Sequence, residues 1–201
     1  MYKPNEREYR SLGTFEPFQE ENGLLTIRGI PIVFDTPTVL FEEDGIQYKE
    51  IIDRNALLEC DMSDFILNRN HGFTDGTVYA RTRNGSLTYR ITADNVEVQA
   101  ELDPEDDRHR NLYRDIKQKR VDKMSFSFVI AKDGWRYDAE SHTRTVTRIK
   151  KLYDVSAVDF PAYNDTSIQT ARSFFAEEHA KELKELEELH RRKLLIIKTL
   201  I

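Results

Sequence analysis

Three residue types in this chain can combine into hydrolytic chemistry: a serine, a histidine and a carboxylate. A serine hydroxyl is a weak nucleophile and needs a base within hydrogen-bond reach. The base in turn needs a group that fixes its tautomer and stabilises its charged form. Ser125 lies in Met124-Ser125-Phe126-Ser127-Phe128-Val129-Ile130. Phe126, Phe128 and Ile130 share one face of that strand pattern and read as core. Ser125 and Ser127 share the other face with Val129, where each hydroxyl needs a partner or water. Taken alone, this pattern reads as a polar outer strand face rather than as a nucleophile.

Asp154 breaks a second strand pattern, Leu152-Tyr153-Asp154-Val155-Ser156-Ala157-Val158. Alternation puts it on the face of Leu152, Ser156 and Val158, so its carboxylate must be paired or hydrogen-bonded. An ion pair with Arg144 or Arg148 would satisfy it; so would an imidazole. His71 follows Asn68-Arg69-Asn70 and precedes Gly72. It ends an apolar run and sits on a loop, a place where a scaffold can fix a reactive group that solvent reaches. His109 lies in a charged helical pattern, His142 in a polar turn, and His179 and His190 in the terminal helix. The order His71, Ser125, Asp154 matches none of the chymotrypsin, subtilisin or α/β-hydrolase orders, and no G-x-S-x-G elbow is present.

Other chemistries find less support. There is no H-E-x-x-H, and the single cysteine, Cys60, cannot build a zinc cluster, so no metal is expected. Cys60 is flanked by Glu59 and Asp61, which oppose a thiolate; it reads as a half-buried small apolar residue. No phosphate-binding glycine motif occurs, and no cofactor is expected. The net charge of −6 argues against nucleic acid as a partner. A lone cysteine allows no internal disulfide, which fits a reducing compartment. The polar first ten residues lack a signal-peptide core, and no run reaches the ~18 apolar residues of a membrane helix.

The elements that must position these residues are mostly strands. With 201 residues the chain is long enough for one domain and an appendage, or for two small domains. Leu24 to Phe34 reads as a strand after the turn signal Glu21-Asn22-Gly23. Asn55 to Leu67 has apolar residues at helical spacing and predicts a short helix leading toward His71. Thr77–Thr82, Leu87–Thr92 and Val96–Leu102 predict a three-stranded meander, with Asn84-Gly85 as its first tight turn. Val96, Val98, Ala100 and Leu102 alternate as an inward face. Asp103 is expected to cap a helix reaching about Arg120. Met124–Ile130, Trp135–Tyr137 and Thr143–Val158 read as extended. From about Ser173 the chain turns into one Glu/Lys/Leu-rich helix with an incomplete stripe of Phe175, Leu183, Leu186, Leu189 and Leu194. The expected division is therefore 1–172 and a helical extension, 173–201.

At these residues the chain resembles the prohead serine proteases of tailed bacteriophages and prophages. The resemblance runs from about Leu24 to Ala171. It rests on Ile27-Arg28-Gly29-Ile30-Pro31-Ile32-Val33-Phe34, on Tyr48-Lys49-Glu50-Ile51-Ile52 followed by Asn55-Ala56-Leu57, on Leu67-Asn68-Arg69-Asn70-His71-Gly72, on Lys123 to Phe128, and on Leu152 to Tyr163. It implies an α+β, β-dominated fold. That fold is a closed or nearly closed barrel of about seven strands flanked by helices, like the herpesvirus maturation proteases, here with a C-terminal helix. It implies a serine endopeptidase that processes the major capsid protein precursor, the scaffold and itself, in the host cytoplasm inside the assembling procapsid. By position, Ser125 is then the nucleophile, His71 the general base and Asp154 the orienting acid. The family often carries glycine where Ser127 stands, so Ser127 is the runner-up nucleophile. Glutamate is common at the place of Asp154, and the herpesvirus enzymes use a second histidine there. A non-catalytic scaffold or capsid-assembly module and a general esterase remain alternatives, and a homodimer or higher oligomer stays open.

Overall fold

The structure is a computed structural model that describes residues 6–16, 25–160 and 165–199. The turn expected at Glu21-Asn22-Gly23, and Pro161 to Tyr163 of the closing segment, lie outside the described residues, as does the side chain of Leu194.

Twelve strands and two helices are described. They are β1 (Glu8–Glu16), β2 (Leu25–Val33), β3 (Thr38–Glu43), β4 (Ile46–Ile52), β5 (Ile66–Arg69), β6 (Ala80–Arg81), β7 (Leu87–Ile91), β8 (Asn95–Leu102), α1 (Asp107–Lys117), β9 (Lys123–Ile130), β10 (Trp135–Asp138), β11 (Thr143–Val146), β12 (Ile149–Val158) and α2 (Asp165–Thr199). Eight strands form a sheet in the order β6-β5-β12-β9-β1-β2-β8-β7, and four form a second sheet, β10-β11-β4-β3. The large sheet curls until its two edges meet: the Ser86 hydroxyl, just before β7, accepts from the Arg81 amide of β6 at 2.9 Å. The result is a nearly closed barrel.

Its interior follows from period-two patterning. Phe126, Phe128 and Ile130 of β9 and Val96, Val98, Ala100 and Leu102 of β8 all face one core. Leu112, Tyr113 and Ile116 of α1 close onto it. On the small sheet, Phe41 packs with Ala171, Phe174 and Phe175 of α2. The terminal helix thus begins eight residues before the expected Ser173 and is seated through Ala171, Phe174 and Phe175; Leu183, Leu186 and Leu189 farther along are exposed.

Three expected elements differ. Asn55 to Leu67 is not a helix. After Asp53 the chain makes successive four-residue turns, with Ala56, Leu58 and Cys60 amides donating to Asp53, Asn55 and Leu57 carbonyls. Ile66 to Arg69 then pairs in parallel with β12. Local turns, the Asp61–Lys151 β-bridge and the pairing of Ile66 and Leu67 take the backbone groups that a helix would have used, so tertiary context overrides the apolar spacing. The meander keeps only its last two strands: β7 pairs β8, whereas Ala80–Arg81 pairs β5. Finally, Asp106, not Asp103, caps α1 by accepting from the Arg108 amide at 2.8 Å. Asp103 instead closes a local turn with the Glu105 amide.

Between the two sheets lies a buried cluster of four charges: Glu8 and Arg10 of β1, Glu50 of β4 and Arg144 of β11. Arg10 donates to both glutamates, and so does Arg144, at 2.6 Å to Glu8 and 2.7 Å to Glu50. The Arg144 guanidinium also stacks over Phe174 at 4.6 Å, which ties α2 to the cluster. Burial alone would raise the Glu8 carboxyl, but Arg144 and Arg10 outweigh it and hold it down to about 2. A carboxyl lowered in the folded state contributes stability above its unfolded value of 4.5, and that stability is lost as pH falls through about 2. The parent chain should therefore lose thermal stability between about pH 5 and pH 2. Glu8→Gln should be less stable at neutral pH, because it leaves buried guanidinium groups underpaired, and its melting temperature should fall less steeply over that acid range. Melting curves at stepped pH check this; parallel acid profiles would contradict it.

Candidate active site

The β9–β12 pairing sets the site. Ser125 stands opposite Ser156, and Ser127 opposite Asp154. All four side chains are buried. The strand face that looked polar and outward is covered: His71 lies against Ser125, and Asp154 and Arg7 lie against Ser127, while β1 pairs along the other edge of β9. That pairing has a bulge between Arg10 and Gly13, opposite Ser125.

His71 comes over this face from the loop after β5. Asn70, His71 and Gly72 all adopt left-handed backbone angles, with φ of 49°, 56° and 76°. Such a run is costly for non-glycine residues and persists only where its surroundings hold it. The His71 amide donates to Ser156 Oγ at 2.8 Å. The Asn70 side chain donates to Asp159 at 2.8 Å and accepts from the Asp159 amide at 3.1 Å. Arg69 donates to the same carboxylate at 2.6 Å. The loop is thereby fixed to the end of β12.

So held, the imidazole bridges the two strands. His71 Nε2 lies 2.6 Å from Ser125 Oγ, and His71 Nδ1 lies 2.6 Å from Asp154 Oδ1. The Tyr9 ring meets the imidazole edge-on at 4.6 Å. Ser125 Oγ also lies 2.9 Å from the Arg10 carbonyl, so one hydroxyl proton has two acceptors. With Nδ1–H donated to Asp154, Nε2 is free to accept the Ser125 proton, the geometry that general-base activation of a serine requires.

Ser127 is placed differently. Its hydroxyl donates to Asp154 Oδ2 and accepts from Arg7 Nε at 2.9 Å and Nη2 at 2.7 Å. Arg7 Nη2 also donates to Asp154 Oδ2. The ion-pair partners expected for Asp154 are engaged elsewhere: Arg144 in the buried charge cluster, and Arg148 on the Lys132 carbonyl. Among the other histidines, His109 accepts from the Asp103 amide and His142 lies beside Tyr48. Among the described residues no cluster of histidine, cysteine and carboxylates could hold a metal ion.

Sequence reasoning missed Arg7, Ser156 and the Asn70–Asp159 clasp. Ser156 could have been found, since it shares the face of Asp154. Arg7 gave no signal, being one charge in a polar stretch.

The sequence pattern of the caudovirus prohead serine proteases, Peptidase_S78, matches residues 14–182. The chain belongs to this family. That makes it a serine protease of the class that serves capsid maturation within the procapsid. No curated protein and no solved structure matches the chain significantly. His71, Ser125, Ser127, Asp154 and Ser156 fall inside the matched span, and Arg7 to Arg10 precede it. No described helix is long and apolar enough to cross a membrane.

Cys60 stands apart from this arrangement. Burial pushes its thiol up to about 12, with the Asp61 charge adding to the rise. At pH 8 the native thiol should react with iodoacetamide on the order of 10³-fold more slowly than in the urea-unfolded chain, from thiolate fraction alone. Equal rates in the two states would contradict a masked thiol.

Proposed function

We propose that this family member is a serine endopeptidase acting through Ser125, His71 and Asp154 on the capsid precursor and scaffold, and on itself. The observation that carries this reading is the imidazole held at 2.6 Å from both the serine hydroxyl and the carboxylate. In the first step Ser125 Oγ attacks the scissile carbonyl and His71 Nε2 takes its proton. His71 then gives that proton to the leaving amine as the acyl-enzyme forms. Water hydrolyses the ester by the same route, returning the proton to Ser125. Asp154 accepts from Nδ1 throughout, which fixes the tautomer and stabilises the imidazolium. Ser127 is assigned to the carboxylate rather than to attack, since its hydroxyl already joins Asp154 and Arg7.

One observation favours the non-catalytic alternative. Ser125 has 0% of its surface exposed, so an enzyme built this way must open before a peptide carbonyl reaches the nucleophile. A capsid-assembly module would need no such step. The two part on a simple experiment. Co-expressed with the capsid precursor, the parent chain should cleave it, and Ser125→Ala should lower cleavage by about 10⁴- to 10⁶-fold. Ser127→Ala should retain cleavage, reduced through the loosened carboxylate. Undiminished cleavage by folded Ser125→Ala would remove the assignment; a parent chain that never cleaves would favour the module.

A further inference from the structure

Asp154 has no exposed surface, yet its carboxylate faces the site rather than the charge cluster between the sheets. Its partners are a neutral hydroxyl, the imidazole and one guanidinium, that of Arg7. Arg7 is 37% exposed and lies ahead of the residues the family pattern covers. Its planar fork spans two acceptors, Ser127 Oγ and Asp154 Oδ2, a geometry that lysine's point charge does not reproduce. Its guanidinium also lies 4.7 Å from the Tyr153 ring centre and 5.5 Å from that of Tyr9. Immediately after it, Glu8 and Arg10 are locked into the buried charge cluster, so Arg7 is held next to the start of an anchored strand.

We propose that Arg7 is a positioning residue for the reaction. Its guanidinium neutralises the sealed Asp154 carboxylate and holds Oδ2, so that Oδ1 stays aimed at His71 Nδ1. The inference rests on the Ser125–His71–Asp154 assignment. Without Arg7, the buried carboxylate keeps, among the described residues, the imidazole and the Ser127 hydroxyl as its partners. The carboxylate is then freer to rotate, Oδ1 is no longer held on Nδ1, and the imidazole loses the orientation that aims Nε2 at the Ser125 hydroxyl. That slows attack by Ser125.

The test uses a fluorophosphonate probe on the full chain, because it reports attack by the serine independently of peptide recognition. In that reaction the Ser125 Oγ–P bond forms, the P–F bond breaks, fluoride leaves and His71 takes the hydroxyl proton. Arg7→Ala should label about 10- to 100-fold more slowly than the parent, the span expected for losing a charge-assisted hydrogen bond. Because Arg7 borders solvent, tens of millimolar guanidinium should restore much of the rate. Arg7→Lys should fall between the two. Arg7→Ala should melt below the parent, because the buried carboxylate loses a charged partner, so labelling is compared at a temperature where every variant is folded. Labelling of Arg7→Ala at the parent rate would overturn the inference while leaving the triad intact. Slow labelling that guanidinium and lysine do not restore would overturn it too, marking a purely structural role. If Ser125→Ala labels like the parent, the underlying assignment fails instead.

Discussion

A carboxylate without exposed surface organises this molecule. Asp154 sits in the interior of an eight-stranded sheet, where an unpaired charge would cost several kcal/mol or more. Each group that satisfies it comes from a different part of the chain: His71 from the loop after β5, Ser127 from β9 and Arg7 from ahead of β1. Meeting the needs of one buried charge therefore assembles the imidazole, the serine strand and the N-terminal segment at one point. Ser125 then follows from register alone, two residues from Ser127 on the same face and within reach of the other ring nitrogen.

The N-terminal strand is tied down on both of its faces. Inward, Glu8 and Arg10 join Glu50 and Arg144, a neutral set of two acids and two arginines whose members satisfy one another. Toward the site, the Arg10 carbonyl receives the Ser125 hydroxyl, Tyr9 stands against the imidazole, and Arg7 reaches Asp154. The same cluster reaches α2 through Phe174. The small sheet, the terminal helix and the site are thus mechanically connected through β1.

Much of this was legible in the sequence, and the remainder was hidden for physical reasons. The inward faces of β8 and β9 declare themselves through period-two alternation of apolar residues, and the carboxylate of β12 by standing in an apolar run; that β9 is buried on both faces does not follow from the alternation. The stretch from Asn55 to Leu67 misleads, since apolar spacing cannot tell a helix from turns whose side chains are collected by a neighbouring sheet. The pairing of Ala80–Arg81 with β5 is non-local, and no adjacent turn signal reports it. Asp106 displaced Asp103 as the cap because both acids precede the same helix at workable positions. Arg7 was invisible because a guanidinium in a polar segment looks like any solvated charge until the fold brings a buried acid to it. The left-handed His71 loop is likewise set by Ser156 and Asp159, more than eighty residues away in sequence.

The two serines of β9 divide the work of one strand face, Ser125 toward the imidazole and Ser127 toward the carboxylate. The most direct test of that division is fragmentation mass spectrometry of the parent chain after fluorophosphonate treatment. The expected result is a single phosphonyl group on Ser125 in the peptide spanning Met124 to Ile130. A group on Ser127, or modification only at residues outside this site, would contradict the account.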